Sequence, residues 1–368
     1  MAQNLIQTIK PGVVTGADYE RLVEACKQGG FALPAVNVIS SETASAAMEA
    51  AARAGSPIII QVSHGGARFY AGQGLKDDLQ AKIKGAVALA QHVHLLAKDY
   101  GIPVVLHTDH ASKELLPWIE GLMEYNEQAF AQTGSPLFTS HMLDLSEETL
   151  EDNIAISSRM LERMSKIGMS LEIELGVTGG EEDGVDNSHV DTSRLYTQPS
   201  EVLKAYEALS PLGHFTVAAA FGNVHGVYSP GNVVLKPSIL KDSQDMIQCT
   251  YRGERNPLNF VFHGGSGSEP AKIAEAITYG VFKMNIDTDL QFAFSEVVGE
   301  YVKKNSRAFQ YQVDPFEKDS KGKEIVYKNK YDPRKWLREG QKGFMDRLDQ
   351  AFTDLGSKGC YAAPAADM

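Results

Sequence analysis

Eight short apolar runs, separated by stretches of helical patterning, restrict the fold of this chain more than any other feature. They read FALPAVNV (31–38), PIIIQVS (57–63), PVVLHTD (103–109), LFTSHMLD (137–144), SLEIEL (170–175), FTVAAAFG (215–222), LNFVFHG (258–264) and VFKMNID (281–287). Their apolar character is continuous rather than alternating, as in parallel strands covered on both faces. Helical segments lie between them. ETASAAMEAAARAG (42–55) has Ser41 as its cap and Gly55 as its stop. KIKGAVALAQHVHLLAKDYG (82–101) carries an apolar stripe, SEETLEDNIAISSRMLERMSKIG (146–168) has acids in its first turn, and AKIAEAITYG (271–280) is a short crossover. Eight strand–helix alternations favour a (β/α)8 TIM barrel over an open sheet. The expectation is an α/β chain forming one domain over 1–368, with a barrel core at about 30–300.

Three stretches exceed a minimal barrel. GVTGGEEDGVDNSHVDTS (176–193) is glycine-rich and acidic, and reads as a mobile loop. The segment from about Val233 to Asn256 reads as an insertion after the sixth strand. From about 301 to 368 a C-terminal extension begins charged and weakly periodic, turns into the amphipathic pattern WLREGQKGFMDRLDQAF, and ends in YAAPAADM, which reads as frayed.

Composition narrows the class. With 43% apolar and 22% charged residues the chain is globular. A net charge of −12 argues against a nucleic-acid partner, whose phosphates demand a basic surface. Cys26, Cys249 and Cys360 are scattered, so a disulfide scaffold is not expected and a reducing cytoplasm is. The start has no secretory pattern, and no run of about 18 apolar residues predicts a membrane span.

Polar residues gather where the runs end: Ser63, Asp109–His110, Asp144, Glu174, His225, His263, Asn285 and Asp287. Strand ends on that side are where such barrels do their chemistry. His110, His225 and His263 each follow an apolar run, and three imidazoles with an open position make a catalytic zinc site. A hydrogen-bonded structural role is the alternative for each. Asp109 suits either an acid or a group that orients a ligand; Asp144 suits either a site acid or a cap for the helix near Ser146. HGGSGS (263–268) offers successive backbone amides and hydroxyls to a phosphate, with Asn285 and Thr288 beside it. Glu181 and Glu182, paired in the glycine-bounded loop, suit a base delivered by loop closure. Lys283 is either a charge paired inside the barrel or a Schiff-base amine. An anionic substrate is thus held by metal and amides against an acidic background.

The motifs PAVNV, VLHTDH, LLPW, SHMLDLSEE, LEIELGVTGGEEDGVDNSH, AAFGNVHGVY, NFVFHGGSGS, KMNIDTD and YDPRKWLREGQ together resemble the class II, zinc-dependent fructose-bisphosphate aldolases. The likeness runs from about Lys10 to Phe352; TGGEEDG and the YDPR tail mark the longer class IIA branch rather than the one that includes tagatose-bisphosphate aldolases. The resemblance implies reversible cleavage of fructose 1,6-bisphosphate to dihydroxyacetone phosphate and glyceraldehyde 3-phosphate, with zinc stabilising the enediolate. It implies zinc on His110, His225 and His263, and a second metal position at Asp144 and Glu174. Asp109 matches the acid at the aldehyde oxygen, and Glu182 the loop base. Ser63, Gly226, Gly264, Gly265, Ser266, Asn285, Ile286, Asp287 and Thr288 match positions that bind the triose phosphate. Carbonyls around Val224, Gly226 and Gly264 match a monovalent-cation site for Na+ or K+. Arg334 matches an arginine that reaches a neighbouring subunit's site, which implies a homodimer. Two positions depart from the family: His64 replaces the asparagine of SNGG, and Ala111 replaces the cysteine after the zinc histidine. Tagatose-bisphosphate aldolase is the nearest alternative; a zinc hydrolase on the same barrel and a catalytically inactive sugar-phosphate-binding barrel are more distant ones.

Overall fold

A computed structural model describes residues 5–177, 179–182, 185–186, 195–225, 234–265 and 268–362; for 179–182, 185–186, 224 and 225 it describes the backbone alone. Each of the eight apolar runs contains a strand: β1 Leu33–Asn37, β2 Ile58–Val62, β3 Pro103–Thr108, β4 Ser140–Leu143, β5 Ser170–Leu175, β6 Phe215–Ala219, β7 Phe260–Phe262 and β8 Val281–Ile286. All pair in parallel with their sequence neighbours, and β8 returns to β1 through Asn285↔Ala35, so the ring closes. This is the α/β TIM barrel. It has no free strand edge to protect, which is what eight nearly uniform apolar runs permit.

β4 is shorter than the run that contains it, and two groups at its entry bond outside the sheet. Phe138 N–H donates to Asn126 Oδ1 at 2.8 Å, and Thr139 Oγ1–H donates to Val14 O at 2.7 Å. The lower part of β3 is left open there, and the two-residue strand Gly12–Val13 fills it, pairing with Pro103 and Val104. Below, Ile6, Ile9, Tyr19, Leu22 and Cys26 meet the interior residues Leu33, Ala35, Ile59, Val105 and Met142 and plug the barrel. Tyr361 joins that plug and donates to Ile9 O at 2.9 Å. This corrects the reading of the whole YAAPAADM terminus as frayed: the phenol has a buried partner. Residues 363–368 lie outside the described set.

Caps fall one to three residues from their expected places. Ser40, not Ser41, caps Ser41–Ala54 in a reciprocal box with Thr43, while Gly55 ends that helix in the left-handed conformation as expected. The helix after β4 is Leu150–Ser165, capped by Thr149 on Asp152 N–H rather than started at Ser146. Asp144 explains the delay, since its Oδ1 accepts from Ser146 N–H and Oγ–H and turns the chain. Leu116–Thr133, a helix without a counterpart in the sequence reading, buries Trp118, Ile119, Leu122 and Met123.

After β6, helix Ser238–Tyr251 serves as an ordinary crossover, so the extra length lies ahead of it. In the acidic glycine-rich segment, Gly179–Glu182 pairs antiparallel with Val185–Asp186 and parallel with Val224–His225. The extension holds the antiparallel pair Val313–Lys318 and Glu324–Val326, then the long helix Pro333–Asp354. That helix returns to the barrel, where Arg338 makes a two-pronged contact with Glu49 at 2.6 and 2.8 Å. The three cysteines are free thiols. No helix among the described residues is long and apolar enough to cross a membrane.

Candidate metal centre

Barrel closure brings the ends of β3, β4, β5 and β7 to one rim. His110 Nε2 and His263 Nδ1 face each other at 2.9 Å. The outer nitrogen of each ring meets a carboxylate. His110 Nδ1 is 2.9 Å from Asp144 Oδ2 and 3.5 Å from Glu174 Oε2, and His263 Nε2 is 2.7 Å from Glu172 Oε1. Two overlapping donor sets result, Asp109–His110–His263 and His110–Asp144–Glu174, with ligand atoms of each set within 4.8 Å of one another. His110 has φ +26°, a conformation uncommon for a residue with a side chain and held by its surroundings.

Charge at this rim is unbalanced toward the negative. Burial resists a proton on His110, yet Asp109, Asp144 and Glu174 push its pKa well above the ordinary imidazole value. Burial likewise opposes ionisation of Asp144, and the bonds from His110 and Ser146 overcome it and hold that carboxyl far below its usual range. Asp109 behaves the same way: burial is outweighed by His110, His263 and Lys283. Three carboxylates around two rings therefore favour a cation between them. Imidazole nitrogens and carboxylate oxygens at this spacing fit a divalent transition metal.

Asp109 is also oriented by two side-chain amides. Asn37 Nδ2 donates to its Oδ2 at 3.0 Å and Asn285 Nδ2 to its Oδ1 at 3.2 Å. Gln61 in turn donates to Asn37 Oδ1. The carboxylate is thus fixed at the rim with its ring neighbours.

The sequence profile described as "Fructose-bisphosphate aldolase class-II" matches residues 17–360. The chain belongs to the class-II fructose-bisphosphate aldolase family. "Fructose-bisphosphate aldolase class 2" of Escherichia coli K12 is 54% identical over 352 residues, covering 95% of this chain and 97% of the relative. "Fructose-bisphosphate aldolase" of Edwardsiella ictaluri is 56% identical over 349 residues, covering 94% and 96%. The crystal structure of the Campylobacter jejuni fructose-bisphosphate aldolase superposes with a TM-score of 0.85 at 49% identity, over 95% of this chain and 97% of that one.

The other residues expected for an aldolase site fall as follows. Ser63 is buried just past β2, its Oγ accepting from Gly66 N–H at 3.1 Å. Gly264 adopts φ +60°, which favours glycine, and a Cβ on Gly265 would come within 2.3 Å of Met284 Cε and displace that side chain. Asn285 and Ile286 are buried at the end of β8. Asp287 and Thr288 open helix Thr288–Lys304, whose first turn offers backbone amides. Arg334 is exposed and pairs with Asp332 at 2.6 Å. Gly226 and Ser266 lie outside the described residues, as do the side chains of His225, Glu181 and Glu182. The backbone pairing Gly180↔His225 brings the acidic segment beside the third histidine.

Sequence reasoning passed over Asn37, Gln61, Glu172 and Asn223. Asn223 Nδ2 donates to His263 O at 2.9 Å and ties the end of β6 to the end of β7. The signal for Glu172 was present in LEIEL: residues two apart on a strand share a face, so it lies one layer beneath Glu174.

Proposed function

We propose that this chain is a class II fructose-bisphosphate aldolase acting in glycolysis and gluconeogenesis, reversibly cleaving fructose 1,6-bisphosphate into dihydroxyacetone phosphate and glyceraldehyde 3-phosphate. The observation that carries the reading is the rim pair His110–His263, their ring nitrogens 2.9 Å apart amid Asp109, Asp144 and Glu174. We assign zinc to His110 and His263 together with His225. Asp144 and Glu174 hold His110 or a second divalent ion. Bound there, zinc supplies Lewis-acid stabilisation for the charge left on the three-carbon fragment when the carbon–carbon bond breaks.

The remaining steps fall to side chains. In cleavage, the ionised Asp109 removes the proton from the hydroxyl that becomes the aldehyde; in condensation it returns that proton. Its two amide donors, Asn37 and Asn285, aim it. Glu182 moves the proton at the ketose carbon when its segment closes over the site, with Glu181 in reserve. Ser63, Gly226, Gly264, Gly265, Ser266, Asn285, Ile286, Asp287 and Thr288 take the triose phosphate, so that binding energy fixes the reacting carbons. Carbonyls near Val224, Gly226 and Gly264 hold a monovalent cation, Na+ or K+. Arg334, exposed on this copy, reaches the site of a neighbouring copy and holds the far phosphate in a homodimer. The enzyme is cytoplasmic. The whole chain works as one domain, a barrel at about 30–300 with its extension at about 301–368.

Family membership sets aside a zinc hydrolase. The geometry around Lys283 argues against an imine: its Nζ is buried and held by both oxygens of Glu172 at 2.8 and 3.0 Å. The experiment is chelation with EDTA followed by zinc, paired with borohydride trapping in the presence of substrate. Activity is lost and regained, and no adduct forms. Substrate trapped on Lys283, or full activity in a demetallated preparation, refutes the assignment.

A further inference from the structure

Beneath the rim the barrel carries a second polar layer. His107, Glu172 and Lys283 each lie two residues before a rim residue: Asp109 just past β3, Glu174 on β5 and Asn285 on β8. All three are buried. Lys283 Nζ donates to both oxygens of Glu172, at 3.0 and 2.8 Å. Oε1 of the same carboxylate also meets His263 Nε2 at 2.7 Å, while Oε2 lies 3.4 Å from His107 Nε2. His107 is anchored in turn, its Nδ1 2.8 Å from Ser140 Oγ. Such a pair is poor value as a source of stability, because removing two charges from water costs several kcal/mol per ion before their attraction is counted. A different reason for it is visible in its contacts.

We propose that Glu172 and Lys283 are positioning residues that decide which nitrogen His263 presents to the metal centre. The proposal rests on the metal reading of the rim. A neutral imidazole has one N–H, and its partner determines which nitrogen carries it. Glu172 Oε1, at 2.7 Å, is a nearer partner for Nε2 than the Asn285 amide nitrogen at 3.4 Å, so Nε2 carries the hydrogen and the lone pair on Nδ1 points at His110 and the shared donor set. Lys283 grips both carboxylate oxygens, which sets the plane of Glu172 and keeps it from swinging up to join the rim acids. The pair is neutral as a unit, so the charge at the rim remains that of Asp109, Asp144 and Glu174. Carboxylates placed behind metal-binding histidines typically change metal affinity 10–100-fold when lost.

The test reads the tautomer and zinc affinity separately. Nitrogen-15 NMR of histidine-labelled, metal-free protein, with the His263 signal assigned by its loss in His263→Gln, shows His263 protonated at Nε2. Protonation at Nδ1 in the unaltered chain overturns the proposal whatever any variant does. Glu172→Met/Lys283→Met removes both charges and preserves volume, a replacement that buried ion pairs generally tolerate. This variant keeps the thermal transition, loses the Nε2–H preference and binds zinc 10–100-fold more weakly in competition with a chromophoric chelator. Glu172→Gln/Lys283→Met, which keeps an acceptor for Nε2–H without leaving a lone buried charge, restores most of that affinity. Unaltered zinc affinity and tautomer in the double methionine variant overturn the proposal. Failure of the unaltered protein to bind any divalent metal instead overturns the reading of the rim, and the metal-free NMR result still decides the tautomer.

Discussion

His141 gives the sharpest pH prediction, because its tautomer is dictated by a chain of bonds with only one consistent assignment. Phe138 N–H donates to Asn126 Oδ1 at 2.8 Å, which turns the amide so that Nδ2 faces His141 Nε2, also at 2.8 Å. Nε2 must therefore accept, and Nδ1–H donates to Thr108 Oγ1 at 2.8 Å. A second proton would set one N–H against another in a fully buried site. Burial accordingly pushes the pKa down to about 3, from an ordinary 6.5. Between those two values the unfolded chain binds a proton that the folded chain refuses. Stability from this group is fully present above about pH 6.5 and is lost as pH falls toward about 3. At pH 5 the slope is close to one proton, about 1.4 kcal/mol per pH unit, so roughly 2 kcal/mol disappears between pH 7 and 5. The perturbation is His141→Gln, which cannot titrate, compared with the unaltered chain by urea unfolding at pH 7, 6 and 5. Other histidines held low, such as His214 at about 4, contribute to both proteins and cancel in the difference. The variant should lose about 2 kcal/mol less than the unaltered chain over that range. Parallel pH profiles would refute the argument. Since Thr108 directly precedes Asp109 and His110, the same acid step is expected to loosen the strand that presents both.

Two further outcomes are expected. Glu182→Ala retains zinc, measured by metal analysis, while turnover falls about 10²–10⁴-fold in a coupled assay; undiminished turnover removes the base from that residue. Gly85→Ala places a Cβ 1.8 Å from the carbonyl oxygen of Ala67, where helices Asp78–Leu96 and His64–Tyr70 touch. Overpacking of about 1–3 kcal/mol or more outweighs the gain of about 1 kcal/mol in helix propensity, so the melting temperature drops. Gly74→Ala, with nothing within 4 Å of its Cβ, is the control, and equal melting temperatures for the two variants would show that the close approach is not obligatory.

Much of the rim was readable because strand ends are local features. An apolar run that stops at a histidine or an acid announces both the strand and the side of the barrel it faces, which is why His110, Asp144, Glu174 and His263 could be named from their own neighbourhoods. Of the polar layer beneath, Lys283 was legible as a charge paired inside the barrel, while Glu172 was hidden by the same reading. Runs taken as uniformly apolar conceal the two-residue period inside them: His107–Asp109 in VLHTDH, Glu172–Glu174 in LEIEL, and Lys283–Asn285 in FKMNID. On a strand, that spacing sends both members inward. Three strands with the same polar pair at the same depth imply a polar interior two layers thick, and this is legible from sequence once the period is looked for. The partners are a different matter. Glu172 meets His263 across 91 residues of chain, and His110 meets Asp144 across 34. Neither pairing follows from spacing, because each depends on the stagger between strands and, for His263, on β7 standing two strands from β5, across β6, within the closed ring. Metal chemistry needs a particular nitrogen on each ring, and that choice is made by partners that only the closed barrel brings within reach. Residue types at the strand ends therefore point to the chemistry, while the register of the strands determines whether the ring nitrogens can perform it.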